Sequence, residues 1–526
     1  MEDTIAIAAH RSDAAADRLA EARAHLAAGR LDRAEAAAQK ALRRAPEAEA
    51  LHLLGLIARD RGRLPRAVQL LEKAARAAPD SAAVLCDLGL AYKAAGRIDE
   101  AIGCQRRVAE RLPDSPMALA NLGSALVAAG RAAEAVQSLK RAAALAPAQP
   151  EIAYNLGNAL AAAGEAQEAA VAFRRVLELD PAHVRARMNL GIVLRELGRV
   201  VEATGLLRAA HAVMPNNAEA EWNLALALLM SGAWTEGWHA YEARRRMAGF
   251  AIRRVAAAPW DGTALDGRTL LVHAEQGLGD TIQSIRWLSR LAGLNGTVLF
   301  QAPQSLRRLL AGLDAPVQLV GDDAPAADLE VPLMSLPHLV GPAEPFWPGR
   351  PYLTPDPERV ARWRHELGGR GGLTVAIAWQ GNPNFRGDRT RSVPLAAMAP
   401  LAAVPGVRLV SLQRLVGQEQ IATVPWGGRI TDLGPAIDVD GAFADTAAIT
   451  TLVDVLVTSD TGTAHVAGAV GARVWVALRD VPDWRWGAAG GTTPWYPSMR
   501  LFRQLSPGDW ASVFDRIAEK LAKWGV

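Results

Sequence analysis

Two patterns of apolar positions divide this chain. Through about residue 248, alanines and leucines return at a long fixed spacing; beyond it, short β-branched runs alternate with amphipathic stretches. In the second part Thr269–Ala274, Thr297–Gln301, Val317–Val320 and Leu329–Pro332 read as strands, and Ser305–Leu313 as a helix. After the first of these strands, Ile282, Ile285, Leu288 and Leu291 share one helical face. Proline-rich punctuation from Pro337 to Pro357 leads to a helix over Glu358–Leu367 and a second alternating series. There the pattern predicts strands at Thr374–Trp379, Arg408–Leu412, Val453–Thr458 and Trp475–Leu478. Helices are expected at Leu395–Ala403, Ala444–Thr451, Thr463–Val470 and Asp509–Lys523. Strands alternating with helices argue for two parallel-sheet lobes, with ligands outside the carboxyl ends of the strands.

The first pattern has a measurable period. Glycines stand at 29, 62, 96, 130, 164, 198 and 232 and prolines at 46, 79, 113, 147, 181 and 215, in steps of 33 and then 34 residues. A Leu-Gly pair precedes the turn glycine (Leu54-Gly55, Leu88-Gly89, Leu122-Gly123, Leu156-Gly157, Leu190-Gly191), and an alanine follows it at 34, 67, 101, 135, 169 and 203. This is the tetratricopeptide signature, about seven helix pairs with a concave face suited to a peptide or protein. Small residues let paired helices approach, the glycine makes the turn and the proline ends the second helix. Asn121, Asn155, Asn189 and Asn223 occupy one repeat position and form a candidate ladder, since a carboxamide both donates to and accepts from an extended peptide backbone. Leu53 and Asp87 interrupt it in earlier units. In the seventh unit Trp222, Trp234, Trp238 and Tyr241 arrive together, where only Tyr92, Tyr154 and Phe173 precede them, so a cap docked on the following domain is expected.

Composition narrows the class. A chain of 526 residues needs several cores, and 58 basic against 55 acidic residues leave a charge of +3, no basis for nucleic-acid binding. Cys86 and Cys104 are the only cysteines and make neither a zinc site nor a disulfide framework, which fits a reducing compartment. The opening MEDTIAIAAHRSD has no long apolar core and no run of about 18 apolar residues occurs. The expected address is cytoplasmic, with peripheral membrane contact left open.

Candidate chemistry gathers at three loops. After the strand ending at Thr458, Ser459, Asp460, Thr461 and Gly462 form a turn into a helix whose first turn holds Thr463 and His465. Free N–H groups and the positive end of a helix dipole suit a phosphate there, with Asp460 capping the helix or holding a ribose hydroxyl and Gly462 admitting a ligand to the backbone. After Ala274 comes a glycine loop, Gly277, Leu278, Gly279, Asp280, Thr281. After Trp379, Asn382, Asn384, Arg386, Arg389 and Arg391 fall within ten residues. Gln413, His273 and the run Asp483, Trp484, Arg485, Trp486 are further candidates, and no acidic D-x-D pair is placed for a divalent ion.

SDTGTAHVAGAVG, with the G-D of Gly279-Asp280, resembles glycosyltransferase family 9, the heptosyltransferase-like enzymes. The resemblance implies a GT-B architecture: a tetratricopeptide α-solenoid over 1–248, a first Rossmann-type lobe on the acceptor side over 249–350, a linker and helix over 351–371, and a nucleotide-sugar lobe over 372–526 closed by a C-terminal helix able to cross back. It implies Asp280 as the base that deprotonates the acceptor hydroxyl, with Arg391, Asp460, Thr461, Gly462, Thr463, His465 and Gln413 about the donor diphosphate. Gly277 and Gly279 form the glycine loop. No cofactor or metal is implied beyond the nucleotide-sugar co-substrate. The order of repeats followed by GT-B also resembles the protein O-linked sugar transferases and the repeat-bearing bacterial transferases that modify flagellin. The expected activity is therefore inverting, metal-independent sugar transfer to a protein held by the repeats. A lipopolysaccharide acceptor, a non-catalytic adaptor with a degenerate GT-B domain, and a nucleotide-sugar epimerase are the alternatives.

Overall fold

The computed structural model describes residues 16–43, 47–250, 255–341, 344–368, 371–383 and 388–524. The described residues form two compact units, one through Leu197 and one from Gly198 onward. Among them no helix is long and apolar enough to cross a membrane.

The first unit is a series of paired helices, from 16–27 and Leu31–Leu42 through Pro150–Ala163, Ala166–Leu179 and Val184–Glu196. Its turn glycines take left-handed φ values, from 68° at Gly29 to 82° at Gly164, which a side chain would strain. Helix approach is set by the Leu-Gly glycines. A Cβ at Gly123 would lie 2.5 Å from Leu139 Cγ, and one at Gly157 only 2.6 Å from Phe173 Cε1. The alanines at 34, 67, 101, 135 and 169 are 0% exposed, so they close the same seams from the partner helix. Ser81 and Ser115 cap their helices by accepting from Val84 N and Ala118 N. Pro46 and the opening thirteen residues lie outside the described residues.

The second unit begins with Val200–Val213, Ala218–Ser231, Trp234–Tyr241 and the 3-10 turn Glu242–Arg246, then builds two parallel sheets. In the first, β1 (Ala258–Pro259), β2 (Thr269–His273), β3 (Thr297–Gln301), β4 (Gln318–Val320) and β5 (Leu329–Pro332) stand in the order β1-β5-β2-β3-β4. In the second, β6 (Leu373–Ala378), β7 (Val407–Ser411), β8 (Ile430–Asp432), β9 (Val455–Ser459), β10 (Val474–Leu478) and β11 (Met499–Arg503) stand in the order β8-β7-β6-β9-β10-β11. Every pairing is parallel. The chain reverses its direction across each sheet between β2 and β5 and between β6 and β9. Such switch points open crevices at the carboxyl ends of the strands.

Aromatic rings join the last repeat helices to the sheets. Trp238 meets Trp287 at 5.8 Å and Trp484 at 5.3 Å, and Trp234 meets Trp495 at 5.5 Å, all near edge-to-face. Beside them Arg244 is fully buried. Its guanidinium donates to Glu275 at 2.9 and 2.6 Å, to Glu242 at 2.6 Å and to Ser335 Oγ at 2.9 Å.

Three expectations are corrected. The C-terminal helix Trp510–Ala522 does not cross back: Val513, Phe514, Ile517 and Leu521 pack into the core of the second sheet with Val375, Leu409 and Trp475. Its apolar stripe is satisfied within its own lobe. The interlobe helix, Pro357–Leu367, likewise lies on the second sheet's helix Ala444–Thr450, where Trp363 Nε1 donates to Asp445 at 2.8 Å. The stretch 305–313 breaks into the 3-10 turn Gln304–Leu306 and the single turn Arg307–Leu310.

Replacing Gly157 with alanine forces a methyl into the ring of Phe173, which is 1% exposed. The expected loss is about 1–3 kcal/mol in urea unfolding. Phe173→Leu in the same chain should recover part of it.

Candidate functional site at the carboxyl ends of the two sheets

The two switch-point loops meet. Gly277 to Asp280 leave β2 and open the helix Leu278–Ser284, while Asp460 to Gly462 leave β9 and open the helix Gly462–Ala469. A Cβ at Gly279 would lie 3.3 Å from His465 Cδ2 and 3.4 Å from Gly462 Cα, so backbone faces backbone. Packing gives Gly462 its own reason to be glycine. A Cβ there would strike the Phe443 ring at 2.8 Å, and Phe443 itself holds φ at 65°.

Asp280 has two partners. Its Oδ2 accepts from Gly277 N at 2.9 Å, capping its own helix, and its Oδ1 accepts from Arg485 Nη2. Arg485 also donates to Asp483 at 2.7 Å and to Gln283 Oε1 at 2.7 Å, and its guanidinium lies 4.4 Å from the Trp484 ring. The segment carrying it is fixed from behind. Arg503 gathers the carbonyls of Trp486, Gly487, Ala489 and Gly490 at 2.6 to 3.2 Å.

On the other side, His465 is 4% exposed, stacks on Trp486 at 5.4 Å and places Nδ1 3.0 Å from the Tyr496 hydroxyl. Burial, followed by the charges of Arg485, Arg286 and Arg391, holds its pKa well below the usual histidine value, so the ring is neutral at neutral pH. Asp460 responds oppositely. Burial and the neighbouring Asp483 raise its pKa to about 6, against the pull of Trp486, Arg391 and Arg485. Arg391 is half-buried and close enough to act on both groups. Thr461 is buried with its hydroxyl 3.5 Å from that of Thr458, and Thr463 is half-buried.

Several candidates are engaged elsewhere. Gln413 accepts from Trp379 N at 2.9 Å and Gln380 N at 3.0 Å and donates to the carbonyls of Gln380 and Val416 at 3.0 and 2.8 Å. Its amide clamps the loop after β6 and has nothing left for a nucleotide. His273 bonds Glu330 on the adjacent strand at 2.7 Å. The triplet Asp438-Val439-Asp440 is a D-x-D in sequence only. Asp438 accepts from Asp445 N and the Thr446 hydroxyl, whereas Asp440 pairs with Arg359 at 2.6 Å, so the two carboxylates diverge. Asn384, Arg386 and the side chain of Arg389 lie outside the described residues.

In the first unit Asn121 donates to Cys86 Sγ at 3.2 Å, and Asn189 donates to Asn158 Oδ1 at 2.8 Å and to the Tyr154 hydroxyl at 3.3 Å, each bridging to the preceding repeat. Asn155 is half-buried. Asn223, in the second unit, turns back on Glu219 O at 2.9 Å. Not every rung therefore faces outward. The decisive residues that sequence reasoning under-read are Arg485, Gln283 and Phe443. Only the charged D-W-R-W run after a strand offered a signal for the first.

Comparison with known proteins separates the two parts. The tetratricopeptide repeat family matches residues 19–82, 86–150 and 154–213, so this region is a tetratricopeptide array. Protein FlbA of Caulobacter vibrioides (strain ATCC 19089 / CIP 103742 / CB 15) is 29% identical over 322 residues, 56% of this chain and 53% of FlbA. The chain thus spans about half the length of the curated relative it matches. Among solved structures, PilF of Pseudomonas aeruginosa is 19% identical over 40% of this chain and 97% of its own, with a TM-score of 0.36. A tetratricopeptide protein of Thermus thermophilus is 23% identical over 35% and 99%, with a TM-score of 0.31.

The raised pKa of Asp460 makes its ionisation costly to the fold. Its contribution is fully present below about pH 4, the unfolded value, and is lost as pH rises through 6. From that shift the cost above pH 6 is about 2–3 kcal/mol. Asp460→Asn should therefore unfold at a higher temperature than the parent at pH 7.5, with the advantage shrinking to nothing near pH 4. An advantage that does not change with pH would contradict the assignment.

Proposed function

We propose that the second unit is an inverting glycosyltransferase that needs no metal and moves a sugar from a nucleotide-sugar to a polypeptide recruited by the repeats. The observation that carries this reading is the meeting of the Asp280 loop and the Thr461–Gly462 turn at the carboxyl ends of two parallel sheets, beside both switch points. A carboxylate from the first sheet's loop, with cationic groups from the loops after β6 and β10, is what direct displacement at an anomeric carbon requires. Asp280 takes the proton of the acceptor hydroxyl. The oxygen forms its bond to the anomeric carbon as the bond from that carbon to the donor phosphate oxygen breaks, and the nucleotide leaves with the electron pair. Arg391, Arg485 and the N–H groups opening the helix Gly462–Ala469 stabilise the departing charge.

A tetratricopeptide array is a protein-interaction scaffold, and this favours a polypeptide over a lipopolysaccharide acceptor. The adaptor reading has its own support. Both oxygens of Asp280 and all four bonding positions of Gln413 are engaged within the chain, as in a lobe that has ceased to turn over.

Asp280→Asn keeps an oxygen for Gly277 N and removes the base. Sugar transfer should fall about 10²–10⁴-fold while nucleotide-sugar affinity stays within about threefold. UDP-, GDP-, ADP- and CMP-sugars are screened by thermal unfolding, where a true donor at 100 times its dissociation constant adds about 2.7 kcal/mol. Stabilisation by none of them would favour the adaptor.

A further inference from the structure

The proposed base is not free in this structure. Asp280 is fastened to Arg485, a residue 205 positions away in sequence and on the other sheet, and its second oxygen is held by Gly277 N. With a donor on each oxygen, the carboxylate is covered where an acceptor hydroxyl would have to approach it. The guanidinium that covers it divides its bonds among three partners. Its backbone is anchored through Asp483, which accepts from Arg485 N at 3.1 Å, and through the Arg503 carbonyl cradle. Its side chain is shared among Asp280, Asp483 and Gln283.

Two buried polar atoms nearby lack partners among the described residues: Gln283 Nε2, whose own carbonyl already holds Arg485, and Ser459 Oγ, which immediately precedes Asp460. An unpartnered buried donor costs about 1–3 kcal/mol, which an incoming acceptor would recover. Gln283 lies on the helix opened by Asp280 and Ser459 ends the strand that feeds the facing turn.

Resting on the transferase reading, we infer that Arg485 is an exchangeable counter-ion. Without donor it covers Asp280 and fastens the two loops; the phosphate of the donor draws it off, Gln283 follows, and the carboxylate is bared only when there is a sugar to attack. The donor diphosphate carries two charges against the carboxylate's one, and either of its phosphates offers the planar fork of arginine two oxygens at once. The donor therefore enters first, and the device keeps the base from acting in an empty site.

Carboxyl footprinting of the full chain tests this without relying on turnover. The chain is treated with a water-soluble carbodiimide and an amine, alone and with UDP, GDP, ADP or CMP, and labelling at Asp280 is read by peptide mass spectrometry. Asp440, whose carboxylate is likewise paired with an arginine, Arg359, serves as the internal control. The nucleotide that raises the unfolding temperature should raise Asp280 labelling at least threefold and leave Asp440 unchanged. Arg485→Gln should show the raised labelling with no nucleotide, and Arg485→Lys an intermediate level. Labelling of Asp280 that stays level or falls on addition of a stabilising nucleotide overturns the exchange while leaving the transferase reading intact. Stabilisation by no nucleotide overturns both.

Discussion

The backbone at Gly279 can touch the backbone at Gly462 because neither residue carries a Cβ, and the site is a consequence of that contact. Two parallel sheets each present a crevice at a switch point, but their loops come within reach of one another only where both lack side chains. A methyl on Gly279 would meet the His465 ring, and one on Gly462 the ring of Phe443. With that approach in place, Asp280 comes within reach of Arg485, and Arg485 close enough to act on Asp460 and His465.

The charges inside the contact are arranged around guanidinium groups that satisfy themselves on carbonyls. Arg286 is fully buried and donates to the carbonyls of Gln283, Phe346 and Trp495 and to the Tyr352 hydroxyl, with the Tyr496 ring 4.6 Å from its centre. Carbonyl dipoles hold such a cation in place without cancelling its charge, so its field reaches the neighbouring groups. That field adds to burial, the larger cause, in keeping His465 neutral.

The repeat register is legible in the sequence because a 34-residue period makes each unit a check on the others, and the positions that must be small, Gly123 and Ala135 among them, are small for reasons of contact. Central strands are legible as well, since β2, β6, β9 and β10 are apolar almost throughout. Edge strands are not: β11 reads MRLFR and β8 only ITD, and neither gives an apolar run. At the site, the loops that follow β2 and β9 announce themselves through Gly-Asp and Asp-Thr-Gly. The partner of Asp280 does not, because nothing local distinguishes an arginine that will meet a carboxylate 205 residues away. Gln413 misleads for the same reason, since an amide that grips a ligand and one that grips its own backbone are spelled alike.

The stretch from Gly198 to about residue 246 shows how period and packing can assign one segment differently. By spacing it continues the repeats; by contact it belongs with the sheets. Its aromatic residues explain the difference, because rings of this size bury most of their surface only against an equally large partner, and Trp287, Trp484 and Trp495 supply one. The segment also fixes the glycine loop. Gln276 holds φ at 61°, a conformation that costs a residue with a side chain about 1–3 kcal/mol, and its amide is tied to the Tyr241 hydroxyl at 3.2 Å while Glu275 before it is tied to Arg244. Removing one member of a buried pair such as Arg244–Glu275 costs about 3–5 kcal/mol, more than the strain it restrains. The turn that aims Gly277 and Asp280 is thus held by Tyr241 and Arg244 of the last repeat unit together with its own lobe, where Met334 N donates to Glu275 at 3.1 Å.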